Sequence, residues 1–373
     1  MKIKSSNIVV SGGKTGGHIY PALAIADILK SEYNIQPHYI GANNGMESKI
    51  LKNENIPFYG ISFAPLIGMS LFKKIKSIFI NLRGFFASLI ILNRIKPKLV
   101  IGTGGFVAGP VLSAAFILRI PVIIHEQNVV PGFTNKILAR ISKEIWITFN
   151  ESSKYFPSNK RKVLTGMPLR NSFQKLDSNE SKKHFGINNE QKVLLVAGGS
   201  QGSKIINKAV RSIYKGIIHD LDLTIIHITG ASFYNDIIES LDSDELKLVE
   251  TGRLILKDYI SEMELALNAA NITISRAGAS FICELIATKS YSILIPIKNS
   301  ASNHQLKNAK AIEKAAMGRI IEEDDLTSAN LYATLKNLSP YLFENIITSN
   351  AGILYGENTK VIIRKESGKY LNE

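Results

Sequence analysis

Short apolar runs, each closed by glycine or a small polar residue and followed by a stretch of helical periodicity, recur along this chain. In the first half, residues 8–10, 38–40, 99–101, 122–125 and 145–149 read as strands. Between them the 3.6-residue period predicts helices beginning near Tyr20, Glu47, Leu71, Gly109 and Thr134. The second half repeats the pattern, with strands at 193–197, 223–228, 246–249, 272–275, 293–296 and 319–321. Runs that are apolar throughout, rather than alternating, suit strands covered on both faces. The chain therefore reads as α/β, with two domains whose parallel sheets carry helices on each side. Thr165-Gly166-Met167-Pro168-Leu169-Arg170 is a turn and the polar stretch 175–191 follows it, which sets the domains at 1–165 and 166–344. The tail, about 345–373, has helical periodicity and no motif, and is assigned to pack back on the first domain.

In each half one strand breaks on glycines and feeds a helix. The first such turn is Ser11-Gly12-Gly13-Lys14-Thr15-Gly16-Gly17-His18, the second Gly198-Gly199-Ser200-Gln201-Gly202-Ser203. A turn of this kind aims backbone N–H groups and the positive end of a helix dipole at one point, which attracts phosphate or diphosphate. Built once in each half, the device suggests two similar domains facing a central cleft. Open α/β sheets bind ligands beyond the carboxyl ends of their strands, where both loops fall. Pro21 follows the first loop at a place where a first-turn proline is tolerated. Gly13-Lys14-Thr15 does not complete a nucleoside-triphosphate P-loop, because that motif wants glycine where Ile8 stands. A dinucleotide site also fits badly, since the glycine spacing is wrong and no acidic residue closes the second strand.

With 373 residues, 45% hydrophobic and 20% charged, the chain can build two cores. Its formal charge of +14 favours an anionic partner, either a phosphorylated substrate or an acidic lipid surface. Without an aromatic-basic RNA motif or a metal-type Cys/His cluster, neither nucleic acid nor a metal is expected. The lone Cys283 excludes an internal disulfide and fits a reducing compartment. Met1-Lys2-Ile3-Lys4 leads to the first strand without an apolar signal segment. Lys73, Lys74, Lys76, Arg83 and Arg94 are expected to break the apolar region 66–95 before it reaches the roughly 20 residues a bilayer requires. A cytoplasmic protein without a membrane span is the expectation. Within that region Leu71, Phe72, Ile75, Ile78, Phe79, Leu82, Phe85, Phe86 and Leu89 recur at helical spacing, with Lys73, Lys76 and Arg83 on the other side. Such a stripe either packs on the sheet beneath it or docks on anionic lipid.

Further strand ends carry hydrogen-bonding chemistry. His18, at a helix entrance, either caps and packs or serves as a general base. Gly102-Thr103-Gly104-Gly105-Phe106-Val107-Ala108-Gly109-Pro110 leaves room for a ligand against the backbone. His125-Glu126-Gln127-Asn128 is not a zinc helix, because Val129 stands where the second histidine belongs. Its carboxamides and carboxylate suit sugar hydroxyls, to which they donate and from which they accept. After Ser275-Arg276-Ala277-Gly278-Ala279-Ser280, Glu284 falls on the early turns of a helix. It either complements the dipole there or binds the two hydroxyls of a ribose. Gln305 and Asn308, in Asn303-His304-Gln305-Leu306-Lys307-Asn308, share a helix face.

The ordered set of these stretches resembles the MurG family, the membrane-associated N-acetylglucosaminyltransferases of peptidoglycan synthesis. It includes Gly-x-Thr-Gly-Gly-His, Gly-Thr-Gly-Gly-Phe-Val-x-Gly-Pro, His-Glu-Gln-Asn, Gly-x-Pro-x-Arg, Gly-Gly-Ser-Gln-Gly, Ser-Arg-Ala-Gly-Ala and Asn-His-Gln-x-x-Asn-Ala. The resemblance implies a GT-B fold, in which the C-terminal domain holds UDP-GlcNAc and the N-terminal domain the undecaprenyl-linked acceptor, lipid I. It carries donor contacts onto Thr15, Gly16, Gly17, Asn128, Arg170, Ser200, Ile260, Ala279, Ser280, Phe281, Ile282, Cys283, Glu284 and Gln305. In that family uracil reads backbone near Ile260, Glu284 takes the ribose, the Ser200 loop faces the diphosphate and Gln305 holds the sugar.

The reaction implied is an inverting transfer to the MurNAc 4-hydroxyl, giving lipid II. His18 is the candidate base, His125 and Glu126 its rivals, and no cofactor is called for. The enzyme would lie peripherally on the cytoplasmic side of the cell membrane. Ile75, Phe79 and Leu82 would reach lipid there, Lys73, Lys76 and Arg83 an anionic surface, and other cell-wall enzymes are possible partners. A related transferase acting on a diacylglycerol, and a non-catalytic UDP-GlcNAc sensor, are the alternatives. Lys14 replaces a usual glycine, Phe106 and Ala108 a usual tyrosine and serine, and Met167 the asparagine before Pro168.

Overall fold

The computed structural model describes residues 7–64, 71–170, 173, 176–199, 201–288, 290–300, 303–342 and 358–371. The chain divides into two compact units, Met1–Asn171 with Tyr355–Glu373, and Ser172–Leu354.

The first unit is built on seven parallel strands: β1 (Asn7–Gly12), β2 (Gln36–Ala42), β3 (Phe58–Ile61), β4 (Leu99–Gly104), β5 (Val122–Glu126), β6 (Glu144–Ile147) and β7 (Arg161–Leu164). Their order is β3-β2-β1-β4-β5-β6-β7, so the chain winds outward from β1, returns to β4 at β1's other side, and winds out again. The register pairs Val9 with His38 on one side and with Val100 on the other. The apolar run of β1 is needed because both of its faces are covered. Ile8 and Val10 point into a cluster with Ile19, Leu23 and Leu29 of α1 (Gly16–Tyr33). Val9 points the other way, among Leu92 of α3 (Leu71–Ile95) and Val111 and Leu112 of α4 (Ala108–Ile117). Each such buried aliphatic side chain contributes about 1.5–3 kcal/mol. Two short helices, α2 (Met46–Ile50) and α5 (Phe133–Leu138), complete the strand-to-strand connections that matter for the site. The last described helix, Thr359–Leu371, lies on α1, where Ile363 and Leu371 join the α1 cluster and Glu32 pairs with Lys360 and Arg364, both at 3.1 Å.

The second unit has six parallel strands in the order β10-β9-β8-β11-β12-β13. They are β8 (Lys192–Ala197), β9 (Leu223–Ile228), β10 (Leu254–Lys257), β11 (Ile272–Ser275), β12 (Tyr291–Leu294) and β13 (Gly318–Ile320). Among the helices between them are α7 (Lys204–Arg211) after β8, α12 (Ala279–Ala287) after β11 and α13 (His304–Lys314) after β12, with α6 (Ser178–His184) ahead of β8. α8 (Tyr214–His219) follows α7, α9 (Ala231–Glu239) and α10 (Ser243–Glu250) lie between β9 and β10, α11 (Met263–Ala269) between β10 and β11, and α14 (Ser328–Leu342) after β13.

Four expectations are corrected. Residues 246–249 belong to α10, which opens on a capping box of Asp242 and Glu245, and the adjoining strand is β10 instead. The acidic N-terminal signature outweighs the apolar residues that suggested a strand. Edge strands β3 and β7 escaped the pattern because they are only partly buried and β7 opens Arg161-Lys162. Helix α1 starts at Gly16, so Pro21 lies inside it and withholds the N–H that would bond the Gly17 carbonyl. Finally, the charges do not break the apolar helix: Ser77–Ile95 is 19 residues long, with mean hydropathy 1.5, enough by length and composition to cross a membrane. One face of that segment nevertheless belongs to the unit's core, since Ser77, Gly84, Ser88, Leu92 and Ile95 are buried. Its other face presents Ile78, Phe79, Leu82, Phe86 and Ile90, exposed by 49, 64, 46, 59 and 72%. The side chains of Lys73, Ile75 and Lys76 lie outside the described residues, while Arg83 is exposed.

Candidate active site

The glycine loop after β1 meets the loop after β4 where the sheet order reverses. Gly104 adopts φ +101°, and a Cβ there would stand 3.0 Å from the His18 ring, so glycine lets the imidazole lie against the backbone. His18 Nδ1 is 2.9 Å from the Thr103 carbonyl and 3.0 Å from Gln127 Oε1. A carbonyl only accepts, so Nδ1 carries the proton and Nε2 is left with its lone pair. Thr103 also donates to the His18 carbonyl at 2.7 Å, clamping the residue from behind.

Gln127 continues the chain of bonds. Its Nε2 donates to His125 Nδ1 and to the His125 carbonyl, each at 3.0 Å. His125 in turn donates from Nε2 to the Gly166 carbonyl at 3.0 Å. His125 is wholly buried, and that burial holds it down at about 4, hence neutral. Both of its nitrogens are occupied within the protein. Glu126 is equally enclosed. Its Oε1 accepts from Asn128 N (2.9 Å) and Asn128 Nδ2 (3.1 Å), and its Oε2 from Gly132 N (3.2 Å) and Asn135 Nδ2 (2.8 Å). Four donors fix this carboxylate as the post around which the loop into α5 is folded.

A second buried carboxylate, which the sequence offered only as a helix-start residue, supports the first glycine loop. Glu47 accepts from Ala42 N at 2.9 Å and from Lys14 N at 3.4 Å. Lys14 holds φ +77°, a region that favours glycine, and its ammonium sits 5.3 Å from the centroid of Phe106. On the far side of α1's entrance the Arg170 guanidinium stands 4.8 Å over Tyr20. Thr15, Gly16 and Gly17 form the turn itself, and Thr15 begins the helix without a side-chain cap. Met167, the residue that departs from the family pattern beside Pro168, is fully buried, so an apolar side chain is what this turn requires.

In the second unit the candidate donor residues gather along the carboxyl ends of the strands. Gly202 has φ +73°, and a Cβ on it would fall 2.1 Å from the Thr229 carbonyl, so only glycine lets this loop rest on the end of β9. Behind the loop, Asn207 of α7 donates to Thr229 O at 2.8 Å and its Oδ1 accepts from His227 Nε2 at 3.1 Å. Buried His227, held down at about 3, is bonded on its other nitrogen to Tyr214. Arg276 ties three strand ends together through Ser203 Oγ (2.8 Å), the Ile295 carbonyl (3.1 Å) and Glu323 (2.5 Å). Gln305 accepts from Ile297 N at 3.0 Å, and Asn308 donates to the Ala277 carbonyl at 3.3 Å, which pins α13 to the loops after β12 and β11.

Glu284 lies half-buried on α12, about one turn beyond Ala279 and Ser280. Ile282 and Cys283 are wholly buried, and burial pushes the Cys283 thiol up, so any ligand contact there is through backbone. Ile260, after β10, is buried as well. Ser200 lies outside the described residues. Gln127, Thr103, Glu47, Arg276 and Asn207 were not among the sequence's candidate residues. Thr103, Gln127 and Arg276 lay within quoted motifs, and the roles of all five depend on partners away in sequence.

Two parallel-sheet, Rossmann-like units with glycine loops at their strand ends make up the GT-B fold. Residues 8–147 match the glycosyltransferase family 28 N-terminal domain and residues 193–344 its C-terminal domain. The chain is 37% identical over 331 residues to the UDP-N-acetylglucosamine–N-acetylmuramyl-(pentapeptide) pyrophosphoryl-undecaprenol N-acetylglucosamine transferase of Desulforamulus reducens, spanning 88% of this chain and 89% of that one. It is 38% identical over 336 residues to the transferase of the same name from a Thermoanaerobacter species, with 90% of each covered. The crystal structure of Acinetobacter baumannii MurG superposes with a TM-score of 0.74 at 26% identity, covering 98% of this chain and 99% of that one. The chain belongs to this family of N-acetylglucosaminyltransferases.

Proposed function

We propose that this enzyme transfers GlcNAc from UDP-GlcNAc to the 4-hydroxyl of MurNAc in undecaprenyl-diphosphate-linked MurNAc-pentapeptide, giving the β-1,4-linked disaccharide of lipid II. The observation that carries the mechanism is the fixed tautomer of His18. With Nδ1–H committed to the Thr103 carbonyl and Gln127, Nε2 is the atom able to accept a proton. In this reading Nε2 takes the proton of the acceptor hydroxyl as its oxygen bonds to the anomeric carbon. The bond from that carbon to the diphosphate breaks on the opposite face, and UDP leaves with the electron pair. His125 and Glu126 act as supports: the first orients Gln127, the second shapes the loop that carries Asn128.

Donor recognition is assigned to Glu284 for the ribose, to backbone near Ile260 for uracil, to Gln305 for the sugar and to the 198–203 loop for the diphosphate. Thr15, Gly16, Gly17, Asn128 and Arg170 are assigned from the first unit, which also receives the acceptor. The enzyme would work as a peripheral protein on the cytoplasmic membrane face, with the outer stripe of α3 toward lipid. Incubation with UDP-GlcNAc and a soluble short-chain lipid I analogue, followed by mass analysis, tests the reaction through the disaccharide product. His18→Ala is expected to lower kcat by about 10²–10⁴-fold while donor binding survives. Wild-type turnover by that variant would remove His18 from the mechanism.

A further inference from the structure

Polar side chains are costly in an aliphatic core unless every hydrogen bond is met. The core of the second unit nevertheless holds a connected line of them. Tyr214 of α8 belongs to the buried cluster of Ile206, Ile217, Leu223 and Ile225, and its hydroxyl bonds Nδ1 of His227 on β9. His227 Nε2 is 3.1 Å from Asn207 Oδ1 on α7, and Asn207 Nδ2 donates to the Thr229 carbonyl at 2.8 Å. That carbonyl only accepts, so it fixes the direction of every bond behind it. Asn207 turns its oxygen toward His227, which donates from Nε2 and accepts from Tyr214 at Nδ1. Tyr214, His227 and Thr229 are 0% exposed and Asn207 4%, which closes the line off from solvent. Burial, holding His227 down at about 3, keeps the ring neutral and this pattern constant near neutral pH. Stability alone does not call for the line, because replacing both partners of a buried bond by apolar groups can be nearly neutral.

Its far end lies under the 198–203 loop. A Cβ on Gly202 would fall 2.1 Å from the Thr229 carbonyl, and one on Gly230 2.6 Å from the Gln201 carbonyl, so loop and strand end meet backbone on backbone. Contact this close passes any shift of Thr229 to the loop. Asn207 also donates its N–H to the carbonyl of Ser203, the loop's last residue, at 2.8 Å. One side chain and its backbone thus hold both the seat of the loop and its exit into α7.

We propose that His227, with Tyr214 behind it, is a positioning residue for the donor diphosphate, setting the 198–203 loop through Asn207 and Thr229. The inference rests on the assignment of that loop to the diphosphate made above. The test is titration calorimetry with UDP, and with uridine displacing UDP, on the wild type, His227→Leu, His227→Gln and Tyr214→Phe. Uridine keeps the base and ribose and carries no phosphate, so a loosened domain weakens both ligands and a misplaced loop weakens UDP alone. His227→Leu leaves the Asn207 oxygen without its donor. It is expected to raise the UDP dissociation constant about tenfold and that of uridine by less than about twofold. His227→Gln, whose amide can donate to Asn207 and accept from Tyr214, is expected within about threefold of wild type. Tyr214→Phe keeps the core filled and removes only the first donor, so it is expected to weaken UDP about threefold with uridine unmoved. It decides the matter if His227→Leu does not fold. UDP constants equal to wild type in His227→Leu and Tyr214→Phe would overturn the proposal. Equal losses for UDP and uridine, or a His227→Gln enzyme as weak as His227→Leu, would do the same. If the wild type binds uridine as tightly as UDP, the diphosphate assignment of the loop itself fails, a result distinct from all of these.

Discussion

Gln127 joins His18 to His125, so changing it separates orientation of the base from the base itself. The side chain is 1% exposed and makes three hydrogen bonds: Oε1 to His18 Nδ1, and Nε2 to His125 Nδ1 and the His125 carbonyl. Gln127→Leu fills a similar volume and removes all three. It strands a buried acceptor on His125, which costs about 1–3 kcal/mol of stability. His18 keeps the Thr103 carbonyl and so keeps its tautomer, which limits the expected fall in kcat to about tenfold, well short of His18→Ala.

Gln127→Glu is the sharper variant. A carboxylate still accepts from His18 but cannot donate to His125, whose Nε2–H is already given to Gly166. Either the introduced carboxyl keeps its proton and donates to His125 Nδ1, or it ionises and His125 carries a second proton, although burial holds it at about 4 in the wild type. Doubly protonated at pH 7, it would have been raised by at least about three units, roughly 4 kcal/mol of altered environment. Nitrogen-15 NMR of the ring reads this directly. Wild-type kcat and stability in Gln127→Leu would refute the hydrogen-bond chain.

Glu284→Ala is expected to weaken UDP-GlcNAc binding by about 1–3 kcal/mol. An unchanged dissociation constant by calorimetry would dismiss the ribose assignment. Burial holds His125 at about 4 and His227 at about 3, both below the ordinary 6.5, so between these limits the unfolded chain binds protons that the folded chain refuses. Stability therefore falls as pH falls from 6.5 toward 4, by at most roughly 2.7 kcal/mol per pH unit for the pair, and a urea midpoint equal at pH 7 and pH 5 would contradict this. Reversing Lys73, Lys76 and Arg83 to Glu should reduce sedimentation with anionic vesicles by about 1 kcal/mol per residue and spare activity on a soluble acceptor. Equal vesicle binding at low salt would return α3 to a purely structural part.

The strands that matter most were the most legible, for a physical reason. β1, β4, β8 and β11 are central and covered on both faces, so apolar residues fill most of their length and the loops beyond them stand out. β3, β7 and β10 lie at or next to a sheet edge, where burial is partial and the apolar signal thins. The α3 stripe was legible as a stripe but not as two faces. Phe85 and Leu89 turn toward the core while Phe79, Leu82 and Phe86 turn out, a division that depends on where α4 lies.

The four-residue string His125-Glu126-Gln127-Asn128 shows where local reading ends. Side chains along extended backbone alternate, so i and i+2 are natural partners, and the bonds obey that rule: Gln127 donates to His125, and Asn128 to Glu126. One string therefore serves two sides, and this much could be argued from period alone. Which side does chemistry could not. The His125–Gln127 side is completed by His18, 109 residues away from Gln127, and the Glu126–Asn128 side by Gly132 of the same loop and Asn135 of α5. A candidate list drawn from residue type alone gives His18, His125 and Glu126 equal standing as bases. Hydrogen-bond supply separates them, because each nitrogen of His125 and each oxygen of Glu126 is spent inside the fold, whereas the bonds that hold His18 are made through Nδ1.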